Sequence, residues 1–221
     1  MNNRVKVVVI DSGIDVNNME LQRKISHRLG LVIDENGKTR KVENPKCRNI
    51  HGTVIASCIN HMWNNIELID INILNENLMT NGETLIEALK IAEEFHPHVV
   101  NLSLGTLKLK YCLRLKRVIN KLVKNNTIIV SAVDNRGART YPAAFKNVVG
   151  VKSQEVDIGK ICYKHGYFYA SPWLKKDIIY CEDYKKYCGN SIATAYVSGW
   201  ISKEISEGNL DIQGNLVSRI L

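Results

Sequence analysis

Val5–Ile10 is an almost uninterrupted apolar run, Val-Lys-Val-Val-Val-Ile, close to the start of the chain. Such runs are typical of strands covered on both faces, as in parallel sheets. Further apolar runs recur at Glu67–Leu74, Val99–Leu104 and Thr127–Val133, and segments with helical periodicity separate them. This alternation indicates βαβ units, so the predicted fold class is α/β, with a mostly parallel central sheet and helices on both faces.

The helical segments are predicted from apolar spacing. In Thr84–Phe95 the apolar side chains recur on one helix face, and Pro97 ends the segment. The other predicted helices are His51–Met62, Tyr111–Lys124, Ser191–Ile205 and Asn209–Leu221, and Leu31–Lys38 is predicted as a strand followed by a turn. The length of 221 residues suits one α/β domain, and no repeat or linker divides the chain. We therefore expect residues 1–221 to form a single domain.

Three short motifs carry the residue types that hydrolysis through a serine requires. Asp11 follows the first apolar run in Ile-Asp-Ser-Gly, His51 opens His-Gly-Thr, and Ser191 lies in Gly-Asn-Ser-Ile-Ala-Thr-Ala. A serine hydroxyl needs a base to accept its proton, and a histidine base needs a carboxylate to fix its tautomer. Asn135 follows a predicted strand and can donate a hydrogen bond to an oxyanion. Together these residues predict acyl transfer through an activated serine.

The order of these residues excludes two other classes of serine hydrolase. An α/β-hydrolase has its histidine after the serine and a glycine two residues beyond it. Here the last histidine is His165, before Ser191, and Ala193 stands at the glycine position. A chymotrypsin-like enzyme would need an all-β pattern, which the predicted helices contradict.

On these motifs the chain resembles the subtilisin-like serine proteases, the subtilase family, whose triad runs in the same order. The resemblance begins at Val5 and covers nearly the whole chain. It implies a subtilisin-like fold, a triad of Asp11, His51 and Ser191, and Asn135 as the donor of the oxyanion hole.

The resemblance also implies where a substrate binds. The segment Asn-Leu-Ser-Leu-Gly matches the strand that pairs with bound substrate, so Ser103, Leu104 and Gly105 are expected to bind an extended peptide by strand addition. Asp134 stands where the family usually has glycine, beside the pocket for the residue before the scissile bond. A carboxylate there would favour Lys or Arg in the substrate. The alternative is that Asp134 caps its own turn.

The charge and hydropathy of the chain limit its partners. The formal net charge is +8, but no nucleic-acid recognition motif accompanies it, so we predict no nucleic-acid partner. No stretch approaches the roughly 18 apolar residues of a membrane span. Lys108–Lys124 carries seven basic residues and no acidic one. This segment is either a solvated outer helix or a docking site for an acidic peptide.

No metal or cofactor is expected. No His/Cys cluster has zinc spacing, and Asn60–Asn65 is too short for the calcium loop that the resemblance would otherwise imply. The chain leaves no room for a signal peptide or propeptide before Val5, which favours the cytoplasm and reduced thiols, although three disulfides would be possible in a secreted chain. The cysteines are Cys47, Cys58, Cys112, Cys162, Cys181 and Cys188.

Two hypotheses on function follow. The first is a compact cytoplasmic serine endopeptidase with a dedicated processing role, such as removal of a leader peptide. The second is a catalytically inactive module on the same fold that only binds peptides. Both take a peptide or protein substrate in extended conformation.

Overall fold

The computed structural model describes residues 4–43, 45–178 and 184–210, which build one sheet of nine strands. The strands are β1 (Val5–Asp11), β2 (Ile25–Ile33), β3 (Thr39–Glu43), β4 (Ile66–Asn72), β5 (Val99–Leu102), β6 (Ile128–Ala132), β7 (Val149–Ser153), β8 (Cys162–Lys164) and β9 (Tyr167–Ala170). Their order is β3-β2-β4-β1-β5-β6-β7-β9-β8. Neighbouring strands are parallel except at the two ends, where β3 and β8 are antiparallel to β2 and β9.

The first apolar run forms the buried strand β1. It pairs with β4 on one side and β5 on the other, and Val7 is in register with Leu68 and Val99. Alternate side chains of β1 face opposite sides, so Val7 joins one hydrophobic cluster while Val8 joins the other. Both side chains are fully buried. Burial on both faces explains why the run has no regular polar alternation.

Helices cover both faces of the sheet. They are α1 (Met19–Gln22), α2 (His51–Met62), α3 (Gly82–Glu94), α4 (Cys112–Lys124) and α5 (Asn190–Ser206). Helices α2 and α5 contribute to the cluster around Val7, whereas α3 and α4 contribute to the cluster around Val8. Gly199 lets α5 approach α2, because a Cβ atom there would lie 2.6 Å from the carbonyl oxygen of Ile59.

The predicted fold class is confirmed, and helix α2 has the predicted bounds. Helix α3 begins two residues earlier than predicted, because the side chain of Asn81 accepts the N–H of Thr84 and caps the helix start. Strands β3, β7, β8 and β9 were not predicted, and β2 begins at Ile25 rather than Leu31. The predicted terminal helix Asn209–Leu221 lies outside the described residues from position 211 onward.

Candidate active site

The predicted catalytic residues lie at the carboxyl edge of the sheet. Parallel strands end at a common edge, which is where α/β proteins place their sites. Asp11 is the last residue of β1, while Asn135 follows the end of β6. His51 begins α2, and Ser191 lies in the first turn of α5. Residues far apart in sequence are therefore presented by strand ends and helix starts.

Asp11 and His51 form a direct hydrogen bond. Nδ1 of His51 lies 2.8 Å from Oδ1 of Asp11, and the aspartate is 1 % exposed. Burial lowers the pKa of His51, but the charge of Asp11 and this hydrogen bond outweigh it, so the pKa is raised above 6.5. The pairing keeps a proton on Nδ1 of a neutral imidazole and leaves Nε2 free to act as a base.

Asn49 holds the start of the histidine helix, a role that the sequence analysis missed. Its Oδ1 accepts the backbone N–H of His51 at 2.9 Å, and its Nδ2 donates to the carbonyl of Glu76 at 3.0 Å. The local signal is an asparagine two residues before the predicted helix start, where its side chain forms an Asx-turn. The side chain of Asn49, which lies outside the helix, therefore fixes the backbone position of His51 at the helix start.

Helix α2 also packs directly on the backbone that follows Asp11. The hydroxyl of Ser12 accepts the N–H of Gly52 at 3.0 Å and donates to the carbonyl of Asn49 at 2.7 Å. A Cβ atom at Gly52 would lie 2.5 Å from the carbonyl oxygen of Gly13. Glycine at position 52 is thus what permits the approach that joins Asp11 to its histidine.

An ion pair between Arg28 and the buried Asp70 supports the same loop. Asp70 of β4 is fully buried, and its Oδ2 accepts the N–H of Ile14 at 3.0 Å and lies 3.3 Å from Nε of Arg28. Arg28 also donates to the carbonyls of Ile14 and Pro45. Burial raises the pKa of Asp70 to about 6, although the bonds to Ile14 and Arg28 oppose the rise. These contacts hold the turn that follows the aspartate.

Ser191 is half-buried and points toward the neighbouring strand end. Its Oγ donates to the carbonyl oxygen of Ser103 at 3.3 Å. Within the described ranges no hydrogen bond joins Ser191 to His51. The structure thus brings together Asp11 with His51, and Ser191 with Ser103, at one edge of the sheet.

Asn135 lies beside the residues that precede the serine. Its Oδ1 accepts the backbone N–H of Asn190 at 3.1 Å and would lie 3.2 Å from a Cβ atom at Gly189. Gly189 has a φ of +100°, a conformation that favours glycine. Because Oδ1 accepts this bond, Nδ2 of Asn135 remains available as a donor.

Asn190 joins the start of α5 to two strands. Its Nδ2 donates to the carbonyl of Val133 at 2.7 Å, and its Oδ1 accepts the N–H of Ser153, also at 2.7 Å. The side chain is buried, and both of its polar atoms are satisfied. The sequence motif gave Asn190 no role, whereas in the structure its side chain positions the turn before Ser191.

The segment predicted to pair with substrate has an open edge, and it follows β5, which ends at Leu102 rather than at the predicted Leu104. Leu104 is half-buried and Gly105 is exposed, and Thr106 forms a two-way backbone bridge to Tyr141. Within the part of the chain that the structure describes, no backbone hydrogen bond uses the N–H or C=O groups of Leu104 or Gly105. Such groups can pair with an added peptide strand.

Asp134 takes part in the turn that carries Asn135. Its Oδ2 accepts the backbone N–H of Arg136 at 2.8 Å, and its carbonyl accepts the N–H of Gly137 at 2.9 Å. The carboxylate therefore caps the turn through one oxygen. Selection of substrate by its charge stays a prediction.

The basic segment forms a short 3₁₀ turn, Leu109–Tyr111, followed by α4. Two of its cations pair with acidic residues of α3: Arg114 with Glu83, and Lys121 with Glu93. One face of α4 is buried through Leu115, Ile119 and Leu122, which lie four and three residues apart. Cys112, Val118 and Val123 are partly buried beside them, whereas the basic side chains of the segment are exposed.

Metal-ligand clusters and disulfides are absent from ranges 4–43, 45–178 and 184–210. No group of three His, Cys, Asp or Glu side chains there could hold a metal ion. The five cysteines in these ranges are free, and Cys181 lies outside them. Burial raises the pKa of Cys47, which lies in the loop before His51, so this thiol is a weak nucleophile.

Among residues 4–43, 45–178 and 184–210, no helix combines the length and the apolar character that a membrane span requires.

Comparison with known sequences identifies the family. The sequence profile described as the subtilase family matches residues 2–167, which end before Ser191. The chain belongs to the subtilase family.

Two curated relatives are proteases. The "Major intracellular serine protease" of Bacillus subtilis (strain 168) is 28% identical over 169 residues, covering 69% of this chain and 51% of the relative. The "Alkaline protease" of Alkalihalobacillus alcalophilus is 25% identical over 232 residues, covering 96% of this chain and 58% of the relative. The chain thus spans little more than half the length of these relatives.

A solved structure shares the fold. The crystal structure of the nisin leader peptidase NisP from Lactococcus lactis superposes with a TM-score of 0.71 at 18% identity, covering 98% of this chain and 81% of that one. The likeness supports the subtilisin-like arrangement of the sheet and helices.

Proposed function

We propose that this chain is a serine endopeptidase that hydrolyses peptide bonds through an acyl-enzyme. The observation that carries the proposal is the hydrogen bond between Asp11 and His51 at the sheet edge that also presents Ser191 and Asn135. A buried aspartate is costly unless paired, and an imidazole partner of raised pKa fits a general base. Membership of the subtilase family supports the same chemistry.

In the proposed reaction, Nε2 of His51 accepts the proton of Ser191 while Oγ attacks the peptide carbonyl carbon. Asp11 stabilises the imidazolium that forms. The negative charge on the carbonyl oxygen is stabilised by Nδ2 of Asn135 and by N–H groups at the start of α5. His51 then gives the proton to the leaving amine, and a water molecule repeats the sequence to release the acyl group.

The serine must turn to reach its base. In the free structure Oγ of Ser191 donates to the carbonyl of Ser103. Catalytic hydrogen bonds of free enzymes are often loose and tighten when substrate binds. A peptide strand that pairs beside Ser103–Gly105 would place its carbonyl next to Oγ, and rotation about χ1 would then direct the hydroxyl to His51.

We further propose a processing role in the cytoplasm, with a leader or similar extended peptide as substrate. Two relationships support this role: a protein with the same fold is named a leader peptidase, and a relative is named an intracellular protease. The open edge at Leu104 and Gly105 favours an extended substrate.

A fluorophosphonate probe tests the chemistry. The wild-type protein should be labelled at Ser191, and Ser191→Ala or His51→Ala should abolish labelling, whereas the exposed-site control Ser26→Ala should be labelled fully. Circular dichroism confirms that each variant is folded. Absence of labelling in folded wild-type protein, together with retained peptide binding, would establish the inactive peptide-binding module instead.

A further inference from the structure

Three leucines that follow the substrate strand are exposed to solvent. Leu107 is 57% exposed, and Leu109 and Leu113 are each 71% exposed. Single exposed apolar side chains are normal on protein surfaces and need no explanation. Three within seven residues are a local concentration of exposed apolar side chains, named here the leucine patch (Leu107, Leu109 and Leu113).

Positive charge surrounds the leucine patch. Lys108 and Lys110 alternate with its leucines, and Lys116 lies one turn further along α4. Among the described residues, none of these three lysines takes part in a salt bridge. Glu83 of α3, which contacts α4 here, already pairs with Arg114. The surface is therefore apolar and cationic, with little local compensation.

The leucine patch continues directly from the proposed substrate strand. Ser191 donates to Ser103, so the reacting bond lies at that end of the strand and Gly105 lies further from it. Beyond Gly105 the backbone bridges to Tyr141 through Thr106 and then enters the patch. A peptide that pairs with Ser103–Gly105 and then follows the direction of this chain would continue toward these leucines.

We propose that the leucine patch is a docking surface for the part of the substrate that precedes the cleaved bond, and that this part is acidic and apolar. The inference rests on the proposed function. In the proposed reaction His51 protonates the leaving amine, and we assign the acyl half of the peptide to the part that pairs beside Ser103–Gly105. Leucine or isoleucine side chains of the peptide bury the patch, and Asp or Glu side chains pair with Lys108 and Lys110.

The reach of such a segment is set by chain geometry. About eight extended residues span at most roughly 27 Å, and Leu113 is eight residues beyond Gly105 in the chain. An extension of that length therefore reaches the whole patch. Because exposed charge pairs are screened by salt, the contribution of the lysines should decline as ionic strength rises.

The test begins with a short peptide that the wild-type protein cleaves at one bond, and compares it with the same peptide carrying an extension. One version carries about eight alternating Asp/Glu and Leu/Ile residues at its N-terminus, a length taken from the same reach, and another carries them at its C-terminus. The variants are Leu109→Ser with Leu113→Ser, and Lys108→Glu with Lys110→Glu. Matched controls are Met19→Ser, which is 69% exposed, and the exposed Lys160→Glu.

The N-terminal extension should raise kcat/KM of the wild type about tenfold, mainly through KM, since two leucines are buried. Both patch variants should lose that gain while cleaving the short peptide normally, and both controls should retain it. The inference is wrong if the extension has no effect, if the gain survives in the patch variants, or if only the C-terminal extension helps. It is also wrong if light scattering gives the mass of a dimer for the wild type and of a monomer for the variant Leu109→Ser with Leu113→Ser.

Binding of the extension alone separates this inference from the proposed function. A fluorescein-labelled peptide of the extension should bind wild-type protein and lose about tenfold in affinity with either patch variant. Binding without cleavage of any peptide would contradict the proposed function and leave the docking surface supported. Cleavage without this binding would contradict the docking surface alone.

Discussion

The backbone N–H of Asn190 is bonded to Oδ1 of Asn135 at 3.1 Å, across 55 residues of sequence. This bond decides which end of the asparagine amide faces the reacting carbonyl. With Oδ1 turned to the start of α5, Nδ2 is the group that can donate to an oxyanion. The backbone N–H of the residue that precedes the nucleophile thus orients the proposed oxyanion donor.

Replacement of Asn135 by Ala should lower kcat by about 10²–10³-fold with little change in KM, the loss known for the corresponding donor in subtilisin. Asn135→Asp is the matched variant, because it keeps an acceptor for Asn190 but has no donor at neutral pH. It should lose at least as much kcat while retaining the melting temperature. An active Asp variant would show that another group holds the oxyanion.

The pH dependence of activity should report His51. Because its pKa is raised, the acid limb of kcat/KM should have its midpoint above pH 6.5. The variant Asp11→Asn lacks the negative charge that raises the pKa of His51. Burial then dominates, so the pKa of His51 should fall below 6.5. Proton NMR titration measures both values. His98 is the internal control, since burial and Lys6 lower its pKa in either protein.

The raised pKa of His51 also predicts how the stability of the fold depends on pH. A histidine whose folded-state pKa is raised stabilises the fold fully below its unfolded pKa, near 6.5, and loses that contribution as pH rises through the folded value. The difference in free energy of unfolding between wild type and His51→Gln should therefore shrink as pH increases above 6.5. Urea denaturation across this range measures it, and a difference independent of pH would contradict the pairing.

Gly52→Ala should damage both stability and activity. Its Cβ would lie 2.5 Å from the carbonyl of Gly13, so α2 must shift away from the residues that follow Asp11. We expect a loss of about 1–3 kcal/mol in stability and a fall in kcat. Gly199→Ala is the comparison, since its Cβ meets the carbonyl of Ile59 at 2.6 Å, away from the Asp11 loop. That variant should lose stability with less effect on kcat per folded molecule.

Asp134 is expected to favour Lys or Arg before the cleaved bond. One carboxylate oxygen caps the turn through Arg136, which leaves the negative charge in place beside the proposed oxyanion donor. Asp134→Asn keeps a cap but removes the charge, whereas Asp134→Gly removes both. Mass spectrometry of a cleaved peptide library should show that both variants lose the preference, by about fivefold or more if the charge is partly desolvated. An unchanged preference in Asp134→Asn would leave capping as its role.

Local sequence patterns predicted the elements that carry the site. The continuous apolar character of Val5–Ile10 is required by burial on both faces, so it signals β1 without knowledge of its neighbours. Helical spacing likewise located α2 and the region of α4. The order of Asp11, His51 and Ser191 predicted the chemistry because each residue type has a distinct proton-transfer role.

The tertiary structure decided the contacts between distant segments. The bond from Asn49 to Glu76, and those of Asn190 with Val133 and Ser153, join segments far apart in sequence that no local pattern pairs. The short strands β7, β8 and β9 were missed for the same reason, since their pairing depends on neighbours rather than on their own periodicity. Sequence specifies which side chains are buried and which can react, whereas only packing between elements brings their donors and acceptors within hydrogen-bonding distance.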